Sequence, residues 1–80
     1  MGAMFVPSIY RHEQDVPSAT WTINHNIGAN GSTGLPIVDT FIQENGFDEK
    51  IIPVSVKMIN SNTVEIEFSI PRAGFAVIIV

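Results

Sequence analysis

The sequence predicts an all-β domain, a small antiparallel β-sandwich or compact barrel of about six strands. Three observations carry this. Apolar and polar residues alternate at period two through 52–58 and 64–70, the spacing of strands with one buried face. Asparagine and glycine punctuate that alternation at Asn45-Gly46 and Asn60-Ser61-Asn62, as hairpin turns require. No stretch carries apolar residues at the spacing of an amphipathic helix.

Taken in order, Met1-Gly2-Ala3 ahead of Met4 reads as a cloning remnant and is set aside. Residues 4–18 read as an edge strand or arm followed by a loop. Residues 5–10 have strand composition, but Pro7 lacks an amide donor and confines them to an edge. Residues 11–17 are polar, end in Val16-Pro17 and read as the loop. The β domain proper is expected over 19–80. Trp21 and Ile23 point to one side there, with Thr20, Thr22 and Asn24 on the other.

Residues 26–34 hold three glycines and read as a long exposed loop. A strand entered through Pro36 follows over 35–43, apolar on both faces, and Asn45-Gly46 then suits a type I′ turn. Ile52, Val54, Val56 and Met58 face one way, and Val64, Ile66, Phe68 and Ile70 likewise, so these two strands form a hairpin. Residues 75–80 close the chain as a strand without a polar side. Such a strand must be covered twice, by a second sheet or by a neighbouring subunit. The expected core is Trp21, Ile23, Val54, Val56, Val64, Ile66, Phe68, Phe75 and Val77.

Eighty residues make one domain with little core, and no cysteine is present to staple it. Charged residues are only 15% of the chain against roughly 25% in ordinary soluble domains, so part of the surface is not meant for water. These features predict association with copies of itself or with a larger assembly. The interface candidates are Phe5, Val6, Ile9 and Tyr10 in the arm and Phe75, Val77, Ile78, Ile79 and Val80 in the last strand. A net charge of −4 with four scattered Lys and Arg residues argues against nucleic acid and against an anionic membrane surface. The apolar run 75–80 is too short to span a bilayer, and residues 1–10 lack the build of a signal peptide.

Catalytic chemistry is sparse. There is no cysteine nucleophile and no Gly-x-Ser-x-Gly elbow, and the glycines at 28, 31 and 34 match no phosphate cradle. Glu65 and Glu67 share a wet strand face with Lys57, a charge pairing rather than an acid–base pair. His12, Glu13, Asp15 and His25 have no metal-ligand spacing. His25 reads as a side chain fastening the strand-to-loop junction, and Trp21 as the plug of the core. No catalytic residue, metal or cofactor is expected.

Four fragments in order carry a resemblance. They are Thr20-Trp21-Thr22-Ile23-Asn24-His25-Asn26-Ile27-Gly28, Pro36-Ile37-Val38, Asn62-Thr63-Val64-Glu65-Ile66-Glu67-Phe68-Ser69 and Ala73-Gly74-Phe75-Ala76. Together they resemble a small β module that recurs in tail-fibre, tail-spike and other virion proteins of tailed bacteriophages. Ile27 stands where that pattern has leucine. The loop 29–35 and the turn 44–49 are longer than in the pattern, so binding carried by those loops need not transfer. The resemblance implies a non-enzymatic virion component, made in the bacterial host cytoplasm and placed on the phage tail or particle surface. Its implied partners are other virion proteins and copies of itself, with a trimer favoured. The alternative is adhesion to a host-surface glycan through Asn30, Ser32 and Thr33 in the loop and the aromatic Phe47.

Overall fold

A computed structural model describes residues 9–27 and 36–79. Among these the protein is all-β, with five strands in one antiparallel sheet and no helix. β1 spans Ile9–Asn24, β2 Ile37–Glu44, β3 Phe47–Ile51, β4 Ser55–Asn60 and β5 Thr63–Ile79. β5 is the centre of the sheet. β1 runs along one side of it, β4 takes the first part of the other side and β2 the last part, and β3 lies outside β2.

Five strands replace the expected six through two fusions and one addition. The arm and the tryptophan strand are one strand, β1, so residues 11–17 do not form a loop. Along 10–15, Tyr10, His12 and Gln14 are half-buried while Arg11, Glu13 and Asp15 are exposed. The period of two was present there, written in polar residues that hydrophobic patterning does not see. Pro17 is tolerated because β1 is an edge strand and pairs only with β5. The second fusion joins 63–70 with 75–79 in β5. The addition is β3, a short, charged edge strand after the Asn45-Gly46 turn. Both turn residues take the positive φ that a type I′ turn needs, 55° and 81°.

The ladder between β1 and β5 breaks where the sheet bends. Between the pairs Gln14↔Gly74 and Ser18↔Arg72, β1 has three residues against one of β5. Between Ser18↔Arg72 and Thr20↔Glu67, β5 has four against one of β1. Unequal counts are the mark of β-bulges, which bend strands and strengthen twist. They also change phase. β1 faces inward with even residues up to Gln14 and with odd ones from Trp21, while β5 has even residues inward on both sides of the bulges, at 64–68 and at 76–78.

The bend brings the inner sides of both halves together in one core of Trp21, Ile23, Val64, Ile66, Phe68, Ala76 and Ile78. Tyr10, Val38, Ile51 and Val56 pack against its rim. Trp21 is fully buried, with Phe68 at 4.7 Å and His12 at 6.0 Å between ring centroids. Its indole N–H donates to the carbonyls of Ser18, at 3.0 Å, and Arg72, at 3.1 Å. Those carbonyls belong to the paired residues that sit between the two bulges.

Two core expectations, Val54 and Val77, need correction. Val54 is 68% exposed because β4 starts only at Ser55, and residues 52–54 link β3 to β4. Val77 is only half-buried, on the outer side of β5, whereas Phe75 is buried as expected, though on that same outer side and apart from the main cluster. Gly74 has a steric role. A Cβ there would fall on the Phe41 carbonyl oxygen, so the β2 backbone can approach β5 only past a glycine.

Two outcomes follow for stability. Trp21→Ala is expected to remove about 3–5 kcal/mol, enough to unfold so small a domain, and Trp21→Phe about 1–3 kcal/mol through the lost N–H bonds. Gly74→Ala is expected to cost about 1–3 kcal/mol, although alanine usually stiffens a strand favourably. Urea titration reads each of them, followed by circular dichroism for the Trp21 variants, which lack the sole tryptophan, and by tryptophan fluorescence or circular dichroism for Gly74→Ala.

Candidate functional site

Side chains at paired positions of a sheet point to the same side, so the register defines what the outer face presents. Over the first half of β5 that face is polar. Thr20 and Thr22 of β1 flank Glu67 and Glu65, with Ser55 and Lys57 of β4 beyond them. Lys57 Nζ stands 3.9 Å from Glu67, the cross-strand charge pairing expected of a wet face.

Over the second half of β5 the outer face changes character. Ile9, Ile79 and Ile37 form one row across β1, β5 and β2. Arg11, Val77 and Asp39 form the next, and Glu13, Phe75 and Phe41 the third. Ile9 is 65% exposed and Ile37 63%, and Ile79 is half-buried between them. The third row is closed by the chain itself. Phe75 stacks on Phe41 with centroids 4.9 Å apart, and the Arg11 guanidinium lies 3.9 Å above the Phe75 ring. Arg11 also pairs with Glu13, and Lys50 of β3 reaches Asp39 at 3.0 Å. The result is an aliphatic row open to water, bordered by a row bearing a cation on one side and an anion on the other.

Of the interface candidates, Ile9, Val77 and Ile79 share this face. Phe75 and Ile78 are already buried by the chain, Phe75 under Arg11 and Phe41 and Ile78 in the core, and so are removed from any interface. Tyr10 is turned inward against the core rim. Phe5, Val6 and Val80 lie outside the described residues, as do the loop candidates Asn30, Ser32 and Thr33. Phe47 stands 74% exposed beside the β2–β3 turn. Sequence reading missed Ile37, Asp39 and Arg11. Ile37 was recognisable as part of a strand apolar on both faces, but its place beside Ile79 depends on a pairing between distant segments.

A half-open cleft of about 270 Å³ lies at the bend, lined by Glu13, Gln14, Asp15, Gln43 and the stretch Ala73 to Phe75. Its polar groups are largely committed. Gln14 donates to the Val16 carbonyl and meets His12, and Gln43 donates to Asp48. Among the described residues no group of three or more His, Asp or Glu side chains is placed to hold a metal ion.

At the far end of β1, His25 is buried and its Nδ1 accepts the backbone N–H of Ile27 at 3.1 Å. The backbone N–H of His25 donates to the Asn62 carbonyl at 2.9 Å, tying this junction to the β4–β5 turn. The fastening role expected for His25 is thus realised. Because Nδ1 is an acceptor, the neutral ring carries its proton on Nε2. Burial holds its pKa below the usual 6.5.

No protein-family model, curated protein or solved structure matches the chain.

The His25 environment predicts a pH dependence. A depressed histidine pKa means the unfolded chain binds the extra proton first. Its stabilising effect is complete above 6.5 and is lost as the pH falls from there to the folded-state value. Denaturation at several pH values from about 7.5 to 5 should show stability falling, with a shallower fall in His25→Gln. Equal slopes for both proteins would assign the change to other groups.

Proposed function

We propose that the chain is a structural module of a tailed-bacteriophage particle that works by assembly, docking onto copies of itself or onto other virion proteins. One observation carries the assembly part: the water-exposed aliphatic row Ile9, Ile79 and Ile37, on a sheet whose opposite side already holds the core. The low charge fraction and the small core support it further. The virion setting rests on the resemblance of the four fragments quoted above, and with it a location on the tail or particle surface. No catalytic role is proposed.

Host-surface glycan adhesion is the second reading, and Phe47 favours it. An aromatic ring standing clear of the surface at a turn is the type of group on which a sugar ring stacks. Loss of glycan-array binding on Phe47→Ala would support that reading, and absence of binding by the wild type would remove it.

Assembly is tested by sedimentation velocity from about 5 to 200 µM, where a surface of this kind should give concentration-dependent self-association. A chain that stays monomeric across that range and finds no partner among the products of neighbouring genes overturns the proposal. Tail or baseplate genes beside this one support the virion setting, and a metabolic operon removes it.

A further inference from the structure

We infer that the outer face of the second half of the sheet closes against the same face of a second copy, in a two-fold dimer with its axis parallel to β5. The inference rests on the assembly reading and adds to it the surface, the partner and the symmetry.

Register and charge carry it. A two-fold axis along the strand direction, lying between two such faces, exchanges left and right and leaves position along the strand unchanged. It therefore sets β1 of one copy over β2 of the other, and β5 over β5. In the first row, Ile9 then meets Ile37 of the second copy, Ile37 meets Ile9, and Ile79 meets Ile79. All three are aliphatic, and Ile9 and Ile37 are large apolar side chains left mostly in water. In the second row, Arg11 falls over Asp39 of the other copy and Asp39 over Arg11, with Val77 on Val77 between the two pairs. Like charges do not oppose each other anywhere in these two rows. In the third row Glu13 comes over Phe41, beside Lys50 one strand further out, where the charges again attract.

An axis perpendicular to the face cannot do this, because it leaves both copies side by side with their aliphatic rows still in water. A threefold arrangement brings each row against a different surface and gives Arg11 no reciprocal Asp39. A self-complementary pattern of this kind belongs to a closed two-fold interface. It also accords with aligned face-to-face packing of twisted sheets. The register thus favours a dimer over the trimer that the phage resemblance implies. Arg11 and Asp39 already have partners within the chain in Glu13 and Lys50, so the dimer extends two ion pairs into one network. No buried charge is left unpaired.

The experiment is a charge exchange read by sedimentation equilibrium on the full chain, with circular dichroism to confirm folding. Arg11→Asp places two acids opposite each other at each contact, and Asp39→Arg places two bases there. Each variant alone should dimerise at least about tenfold more weakly than the wild type. An equimolar mixture of the two restores both opposite-charge contacts and should recover wild-type affinity to within about threefold. Ile37→Glu, at an exposed position outside the core, should abolish the dimer without unfolding the chain. Recovery on mixing supports the two-fold face. Self-association that ignores all three substitutions, or that runs to a trimer, overturns this geometry while the assembly reading stands. A wild type that remains monomeric overturns it too, as does one that uses Ile37 only to bind a different protein.

Discussion

The indole N–H of Trp21 is the interaction on which the rest of the structure depends. β1 and β5 exchange extra residues twice within a few positions, and backbone groups there fall out of the ladder. Trp21 answers with one donor shared between the carbonyls of Ser18 and Arg72, one on each strand. The ring itself fills the space inside the bend, against Phe68 and His12. One side chain thus satisfies the polar cost of the bulges and supplies the apolar mass that makes the bend worthwhile. Without the bend, five strands in one sheet would have an inner face and nothing to cover it.

The bend explains how a strand with two apolar sides is accommodated. β5 sends Ala76 and Ile78 into the core and Phe75, Val77 and Ile79 to the outside. The inner side is covered because the other half of the sheet folds over it. The outer side is covered only in part, where Phe41 and Arg11 shield Phe75. Toward the end of β5 nothing of the described chain lies over Ile79, Ile9 or Ile37. The sheet is consequently divided into a half whose outside is ordinary wet β-surface and a half whose outside suits an interface. Both halves contribute to one core, so the half bearing the aliphatic row is braced from its inner side by residues of both.

The two ends of the tryptophan segment are tied down by different means. At the bend, the ties are hydrogen bonds to carbonyls displaced by the bulges. At the other end, His25 accepts the Ile27 amide and donates its backbone N–H to Asn62, while Asn24 accepts the Thr63 hydroxyl. These bonds couple the exit of β1 to the turn between β4 and β5. They make the exit of β1 depend on a ring whose Nδ1 accepts a hydrogen bond and so carries no proton there. The histidine is a structural fastener with a titration attached.

The sequence by itself determined the class of the fold, the Asn-Gly turn, the burial of Trp21, Ile23, Val64, Ile66 and Phe68, and the work of His25. Each is a local matter, since period two, positive-φ residues and the pairing of a polar side chain with nearby backbone are all decided within a few residues. The strand character of 11–17 and of β3 was hidden because edge strands facing water carry the alternation in polar side chains. Val54 was misplaced because alternation does not reveal where pairing begins. Only the tertiary structure decided the bulges, the close approach at Gly74 and the meeting of Ile9, Ile79 and Ile37 in one row. Those depend on register between segments as much as seventy residues apart, and register is set by which long-range packing buries the most surface. No window of the sequence contains both sides of that choice.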